Sequence, residues 1–295
     1  MKMRLNRRLL DRERPPYALP TVFTVGTLFL GYYCLMKTVQ AISLPADSAA
    51  QAARLYDHAA LAIGLAVFTD GMDGRIARAT GAVSDFGREI DSLADVITFG
   101  VAPAILAVAW GVRPAELRPD LWLANVLPGL GYLVAFLYLT CGAARLARFN
   151  VQKNPLPRNP GRPGRRYFVG MPIPAGAAMI AAVIHACGGE PLQRWWPSGI
   201  LWLLLIGVLS YFMVSRWRWS SFKDVNFMRA PVVGVIFLAT VIFLIWNFSQ
   251  PVLLVMASVF VLTGVYSQLT WLFRRNRTQP AQEQPSEEET SAPLS

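Results

Sequence analysis

The sequence predicts an all-α integral membrane protein with about eight transmembrane helices. Of its 295 residues, 54% are hydrophobic, and the mean hydropathy of the chain is +0.38. Repeated apolar runs approach the roughly 20 residues that a helix needs to cross a bilayer. Tryptophans stand mostly near the ends of these runs, as in the aromatic belts at membrane surfaces.

The apolar runs define the candidate spans in order. They are 18–42, 55–78, 88–111, 121–144, 172–188, 197–216, 229–248 and 251–273. The first run is long and lacks a small-residue cleavage site after a short core, so it reads as a retained span rather than a signal peptide. Because no internal repeat is apparent, we treat residues 18–273 as one membrane domain.

The distribution of basic residues predicts the orientation. If Met1 is cytoplasmic, 23 of the 28 Lys and Arg residues fall in the segments predicted to lie inside. Basic residues near span ends resist translocation, so this split favours two cytoplasmic termini. Residues 1–17 then form a basic cytoplasmic segment, and residues 274–295, rich in Pro, Ser and Glu, form a disordered cytoplasmic tail.

The net charge of +10 does not indicate nucleic-acid binding. Topology and attraction to anionic lipid headgroups both account for basic cytoplasmic edges, and no soluble domain is present to bind nucleic acid. The three cysteines lack paired spacing, which argues against disulfides or a zinc site. His58 and His185 are isolated in sequence, and we interpret them as structural residues.

Four aspartates stand out at the predicted cytoplasmic end of the hairpin formed by spans two and three. On the first helix one face carries residues at offsets 0, 3, 4, 7 and 8, namely Asp70, Asp73, Gly74, Ala77 and Arg78. On the second helix Gly87, Asp91 and Asp95 recur every four residues and also share a face. The two acidic faces can therefore meet across the hairpin.

Four clustered carboxylates repel one another unless positive charge lies between them. Hard oxygen ligands without His or Cys favour Mg²⁺ or Mn²⁺, and four Asp suit a two-metal site that neutralises a diphosphate. Arg78 adds a donor suited to phosphate. The competing interpretation is a solvated loop whose aspartates pair with nearby arginines, but random loop charges need not segregate onto two helix faces.

The full spacing resembles the signature of the CDP-alcohol phosphatidyltransferase family. Every position of that signature is filled: Asp70, two residues, Asp73-Gly74, two residues, Ala77-Arg78, eight residues, Gly87, three residues, Asp91, three residues, Asp95. A pattern of eight fixed residues is highly specific. The resemblance implies a helical membrane fold with a cytosol-facing cavity, usually assembled as a homodimer. It also implies a reaction in which a CDP-linked lipid or alcohol donates a phosphoryl group to a hydroxyl acceptor.

The same resemblance implies roles for individual residues. Asp70, Asp73, Asp91 and Asp95 would hold two divalent cations, Mg²⁺ or Mn²⁺, and Asp95 would also be the general base for the acceptor hydroxyl. By their places in the family pattern, Gly74, Arg78 and Ser84 would contact the cytidine diphosphate portion of the donor.

Three further segments are similar to the bacterial and archaeal branch of the family that uses serine. They are "LPTVFTVGTLFLG" (19–31), "RLARFNV" (145–151) and "YFVGMPIPAGAA" (167–178). Thr21 and Thr27 stand where related first spans often carry Asn. This likeness implies transfer of a phosphatidyl group from CDP-diacylglycerol to L-serine, with release of CMP, in phospholipid biosynthesis.

Arg145 and Arg148 allow two interpretations. They are either basic flanks of the fourth span, or they line the cavity and bind an anionic group. Being three residues apart they share a helix face, and a guanidinium pairs a carboxylate or phosphate in bidentate fashion. The anion would be the serine carboxylate or the donor diphosphate.

Two alternative functions stay open. The first keeps the chemistry but changes the acceptor to glycerol 3-phosphate, inositol phosphate or choline. The second is a cation transporter, since acids within spans often mark ion pathways. The sequence disfavours the transporter, because the four aspartates of this chain lie at one membrane edge, beside a glycine and an arginine suited to a diphosphate.

Overall fold

The computed structural model describes residues 18–80, 85–112, 122–152, 167–192, 196–220 and 231–277. Most of them are helical. The α-helices are α1 (Ala18–Ile42), α2 (Ala49–Thr80), α3 (Asp85–Asp95), α4 (Ala102–Gly111), α5 (Trp122–Gln152), α6 (Ile173–Ala186), α7 (Trp196–Val214) and α8 (Pro231–Arg277). A 3₁₀ turn, Ala46–Ser48, precedes α2.

Two short strands accompany the helices. Strand β1 (Tyr167–Val169) pairs antiparallel with β2 (Arg218–Ser220), and Phe168 lies opposite Trp219. The sequence did not predict them, because three residues are too few to establish an alternating pattern.

Five of the described helical segments are long and apolar enough to cross a membrane. They are Val22–Ile42, Glu89–Gly111, Val126–Val151, Pro197–Val214 and Ala239–Thr270. The protein is therefore a multi-pass membrane protein, but the predicted count of eight spans is not confirmed. Helix α2 carries several charged residues and is not among the five, while α6 has 14 residues and is shorter than a full span.

The last two predicted spans form one element, α8, of 47 residues. Phe248 has a non-helical backbone (φ −137°, ψ 50°), and Pro251 follows it. A proline lacks the N–H that would bond four residues back and its ring clashes with that carbonyl, so it interrupts a helix at this point. The predicted boundary between the spans thus marks a kink.

Small residues allow the helices to pack closely. Helix α1 packs extensively along α2, α2 also contacts α6, and α5 contacts α7. Buried alanines on the inner face of α2, among them Ala59, Ala62 and Ala66, bring neighbouring backbones near, as is common where helices meet in membranes. This packing fixes the end of α2 that carries the acidic residues.

Helix α3 continues into a π-helix, Val96–Val101, before α4 begins. The N–H of Ala102 accordingly donates to the carbonyl of Ile97, five residues earlier. Such π-helical turns are rare and occur often at functional sites. This one starts directly after Asp95.

His185 is not isolated in the fold. Its Nδ1 lies 2.5 Å from Oδ1 of Asp57 on α2, and its Nε2 lies 2.9 Å from Oγ of Ser249 on α8. The interpretation as a structural residue agrees with this arrangement, because both ring nitrogens have partners within the protein. The contacts tie three helices together.

Candidate active site and metal centre

Three of the four predicted acids come together. Carboxylate oxygens of Asp70, Asp91 and Asp95 all lie within 4.8 Å of one another, and the three residues are half-buried. Asp70 lies on α2, whereas Asp91 and Asp95 lie one turn apart on α3. The fourth, Asp73, is in the last turns of α2, but its side chain lies outside the described residues.

The three carboxylates suit a divalent cation. Three half-buried negative charges at this separation repel one another strongly, and a cation between them would remove that cost. The donors are hard oxygens without His or Cys, which favours Mg²⁺ or Mn²⁺ over Zn²⁺. The cluster is therefore a candidate metal centre.

The predicted donor contacts fall at the edge of the described structure. Gly74 and Arg78 continue helix α2, and their side-chain surroundings lie outside the described residues. Ser84 lies in the gap between α2 and α3, also outside them. Their roles toward the cytidine diphosphate stay predictions.

The two predicted arginines have different surroundings in the structure. Arg145 is buried and interacts electrostatically with Asp95 and with Arg148. Its guanidinium also lies over the Phe149 ring, 5.5 Å from the centroid. Among the side chains that the structure describes, Arg145 is thus a buried cation that interacts with an acid of the cluster.

Arg148 points toward the end of α7. Its Nη1 donates a hydrogen bond to the carbonyl of Val214 at 3.2 Å, where a cation also meets the negative end of the helix dipole. Gly170 has φ +81°, and a Cβ there would be 2.8 Å from Nη2 of Arg148. Arg148, on α5, thus lies near the C-terminal end of α7 and near the turn at Gly170 that leads into α6.

Asn150 and Ser92 form a contact that sequence reasoning missed. Nδ2 of Asn150 donates to Oγ of Ser92 at 2.8 Å, which links α5 to α3 at the residue after Asp91. The segment "RLARFNV" contained Asn150, so its position near the arginines was visible. Its partner was not, because 58 residues separate the two.

The described structure also contains an apolar groove of about 570 Å³. Residues of α1, α4 and α5 and the end of the π-helix line it, including Ile42, Val101, Ala104 and Leu139. No acid of the cluster lines this groove. The predicted cytosol-facing cavity beside the acids stays a prediction.

The chain belongs to the CDP-alcohol phosphatidyltransferase family, whose sequence profile matches residues 17–209. Similar proteins within this family carry a more specific name. The chain is 32% identical over 266 residues to the CDP-diacylglycerol–serine O-phosphatidyltransferase of Helicobacter pylori, covering 88% of this chain and 93% of that protein. The proteins of the same name from Bacillus subtilis and Methanocaldococcus jannaschii are 38% identical over 167 residues and 32% identical over 171 residues. Those two alignments cover 56% and 58% of this chain, and 76% and 68% of the relatives.

Proposed function

We propose that the protein transfers the phosphatidyl group of CDP-diacylglycerol to the hydroxyl of L-serine, forming phosphatidylserine and CMP. Family membership supports the phosphatidyltransferase chemistry. The names of the Helicobacter and Bacillus relatives support CDP-diacylglycerol as donor and serine as acceptor.

The observation that carries the proposal is the buried guanidinium of Arg145, which interacts electrostatically with Asp95. Serine presents a hydroxyl, a carboxylate and an ammonium, so its site needs a cation that an uncharged alcohol would not require. Arg145 pairs the carboxylate with charge-assisted hydrogen bonds. The serine hydroxyl then lies toward Asp95, which takes its proton as the general base.

The remaining steps follow from the position of the acids. The deprotonated serine oxygen attacks the phosphorus nearest the diacylglycerol, and the bond from that phosphorus to CMP breaks. Asp70, Asp73, Asp91 and Asp95 would hold two divalent cations, which, when bound, would stabilise negative charge on the departing phosphate. Gly74, Arg78 and Ser84 contact the cytidine diphosphate portion, as the family pattern implies.

The basic-residue split supports an active site and both termini on the cytoplasmic side of the cell membrane. The family resemblance supports a homodimer. The described helix α8 exposes large apolar side chains, for example Phe243, Trp246 and Leu262. Such a surface fits contact with membrane lipid and contact with a second copy of the chain equally well.

An acceptor panel tests the proposal. Purified protein receives CDP-diacylglycerol, Mn²⁺ and, separately, serine, glycerol 3-phosphate, inositol, inositol 1-phosphate or choline, and the lipid product is identified by mass spectrometry. We expect phosphatidylserine and CMP in equal amounts. Efficient turnover of another acceptor without turnover of serine would reject serine and leave the family chemistry standing.

A further inference from the structure

Three threonines from different helical segments form a hydrogen-bonded chain beside the acid cluster. Oγ1 of Thr27 on α1 lies 3.0 Å from Oγ1 of Thr69 on α2. Oγ1 of Thr98 in the π-helix donates to the carbonyl of Thr27 at 3.1 Å. Thr27 therefore contacts α2, which carries Asp70, and the π-helix that directly follows Asp91 and Asp95.

The direction of each hydrogen bond follows from the supply of hydrogens. A threonine hydroxyl has one hydrogen, and that of Thr69 is directed to the carbonyl of Ala66 at 3.0 Å. The hydroxyl of Thr27 is then the donor to Thr69. Valine, which has the shape of threonine without the hydroxyl, would remove that donor.

The chain is adjacent to the acids in sequence. Thr69 immediately precedes Asp70, and Thr98 follows Asp95 by three residues in a continuous helical segment. A shift of either threonine along its helix axis would carry the neighbouring carboxylate with it, because helix backbones are stiff over one turn. Thr27 thus acts on the separation between the two sets of acids.

Two of the three threonines are buried, and Thr69 is half-buried. Thr27 is 2% exposed and Thr98 is fully buried, so water does not readily replace a partner lost at either of these two residues. A Cβ at Gly31 would lie 2.6 Å from Oγ1 of Thr98, so glycine there is what lets the π-helix approach α1. On the other side, the buried Tyr138 of α5 donates its hydroxyl to the carbonyl of Phe99 at 3.0 Å.

We propose that Thr27 is a positioning residue for the metal centre: its hydroxyl donates to Thr69 and its backbone carbonyl accepts from Thr98, and together these bonds set the distance between Asp70 and the pair Asp91 and Asp95. The inference rests on the proposed metal site and adds to it a residue of α1 that bears no metal ligand. It makes the affinity of the site for a divalent cation depend on a hydroxyl outside the acids. Partners that orient metal ligands typically change metal affinity by about 10- to 100-fold when removed, and Thr27 acts one step further away.

The test measures Mn²⁺ binding directly, apart from activity. Electron paramagnetic resonance of free Mn²⁺ gives the Kd of the purified protein and of Thr27→Val, Thr27→Ser and Thr98→Val. We expect Thr27→Val and Thr98→Val to raise the Kd for Mn²⁺ about three- to tenfold. Thr27→Ser keeps the hydroxyl, so its Kd should stay near that of the unmodified protein. The matched control is Thr38→Val, since Thr38 is also buried on α1 but its hydroxyl bonds the carbonyl of Cys34 in its own helix.

Steady-state kinetics gives a second readout. With Mn²⁺ below saturation, Thr27→Val should lower kcat and leave the KM for serine nearly unchanged, and excess Mn²⁺ should recover most of the loss. A Kd for Thr27→Val and Thr98→Val equal to that of Thr38→Val would overturn the inference. Absence of Mn²⁺ binding in the unmodified protein would instead reject the metal site itself, so the two failures are distinct.

Discussion

At the residue scale, the acid cluster is the feature on which the proposed chemistry depends. Asp70, Asp91 and Asp95 bring three carboxylates within 4.8 Å, and such a group is stable as three anions only with a cation present. Burial and mutual repulsion therefore favour metal binding. Removal of one carboxylate should weaken both metal binding and proton transfer.

We expect replacement of Asp70, Asp73, Asp91 or Asp95 by Asn to lower turnover at least about a hundredfold, the lower range for loss of acid–base or metal assistance. Chelation with EDTA should abolish activity, and Mg²⁺ or Mn²⁺ should restore it. The measurement is phosphatidylserine formed per minute. Glu89→Gln is the control, because Glu89 is exposed on α3, the helix that also carries Asp91 and Asp95. Full activity in metal-stripped protein would contradict the metal centre.

The two arginines should give different phenotypes. Arg145→Ala should raise the KM for serine about tenfold or more, from loss of a charge-assisted hydrogen bond worth roughly 1.5–3 kcal/mol. Its effect on the KM for CDP-diacylglycerol should be much smaller. Arg148→Ala should instead lower the melting temperature, because Arg148 bonds the carbonyl of Val214.

Initial rates at varied serine and varied donor separate these effects, and thermal unfolding in detergent reports stability. The control is Arg54→Ala, since Arg54 is exposed near the other end of α2. A rise in the donor KM alone for Arg145→Ala would place the donor diphosphate, rather than serine, at this residue.

At the element scale, α8 is attached to the rest of the described structure through α6 and β2. Near the kink the contact is polar, through Asp57, His185 and Ser249. Further along α8 it is apolar, where Trp219 stacks on Phe260 at a centroid distance of 5.8 Å and a Cβ at Gly264 would lie 2.2 Å from the Trp219 ring. The polar contact should therefore contribute measurably to stability.

We expect His185→Ala to destabilise the protein by about 1–3 kcal/mol, because it leaves the partly buried Asp57 carboxylate without its imidazole partner. Activity should be largely kept at low temperature, since 13 residues of helix, roughly 20 Å, separate Asp57 from Asp70. Chemical or thermal unfolding followed by tryptophan fluorescence measures the change. His58→Ala is the matched control, because His58 is adjacent and exposed. Equal effects of the two substitutions would argue against the polar contact.

At the scale of the whole molecule, the length of α2 constrains the topology. Its 32 residues extend about 48 Å, which exceeds the roughly 30 Å hydrocarbon core of a bilayer. Ser48 precedes this helix and Ser84 follows it. The second predicted span, residues 55–78, lies within this helix, and we therefore predict that the two positions lie on opposite sides of the membrane.

Cysteine labelling tests the orientation. Single cysteines at Ser48, Ser84 and Arg277, in a variant without native cysteines, are exposed to an impermeant maleimide in oriented vesicles. We expect positions 84 and 277 to react from the cytoplasmic side and position 48 from the opposite side. A protein that retains only Cys34 should not react, because Cys34 is fully buried. Reaction of position 48 from the cytoplasm would overturn the predicted orientation.

Sequence alone determined the features that depend on local spacing. The apolar runs predicted a helical multi-pass membrane protein from hydrophobic length, although the count of eight spans is not confirmed. Helical spacing predicted one face with Asp70 and Asp73 and another with Asp91 and Asp95, and the family resemblance then implied their roles. Each of these inferences uses residues close together in the chain.

Tertiary structure decided which distant residues meet. The contacts of Thr27 with Thr69 and Thr98 span 42 and 71 residues, and that of His185 with Asp57 spans 128. Sequence left open whether Arg145 and Arg148 are basic flanks or bind an anion, and packing gives them different partners, Asp95 for Arg145 and Val214 for Arg148. Helical periodicity fixes the direction of a side chain around its own axis, but the neighbour that it meets depends on how separate helices pack, and that is a property of the whole fold.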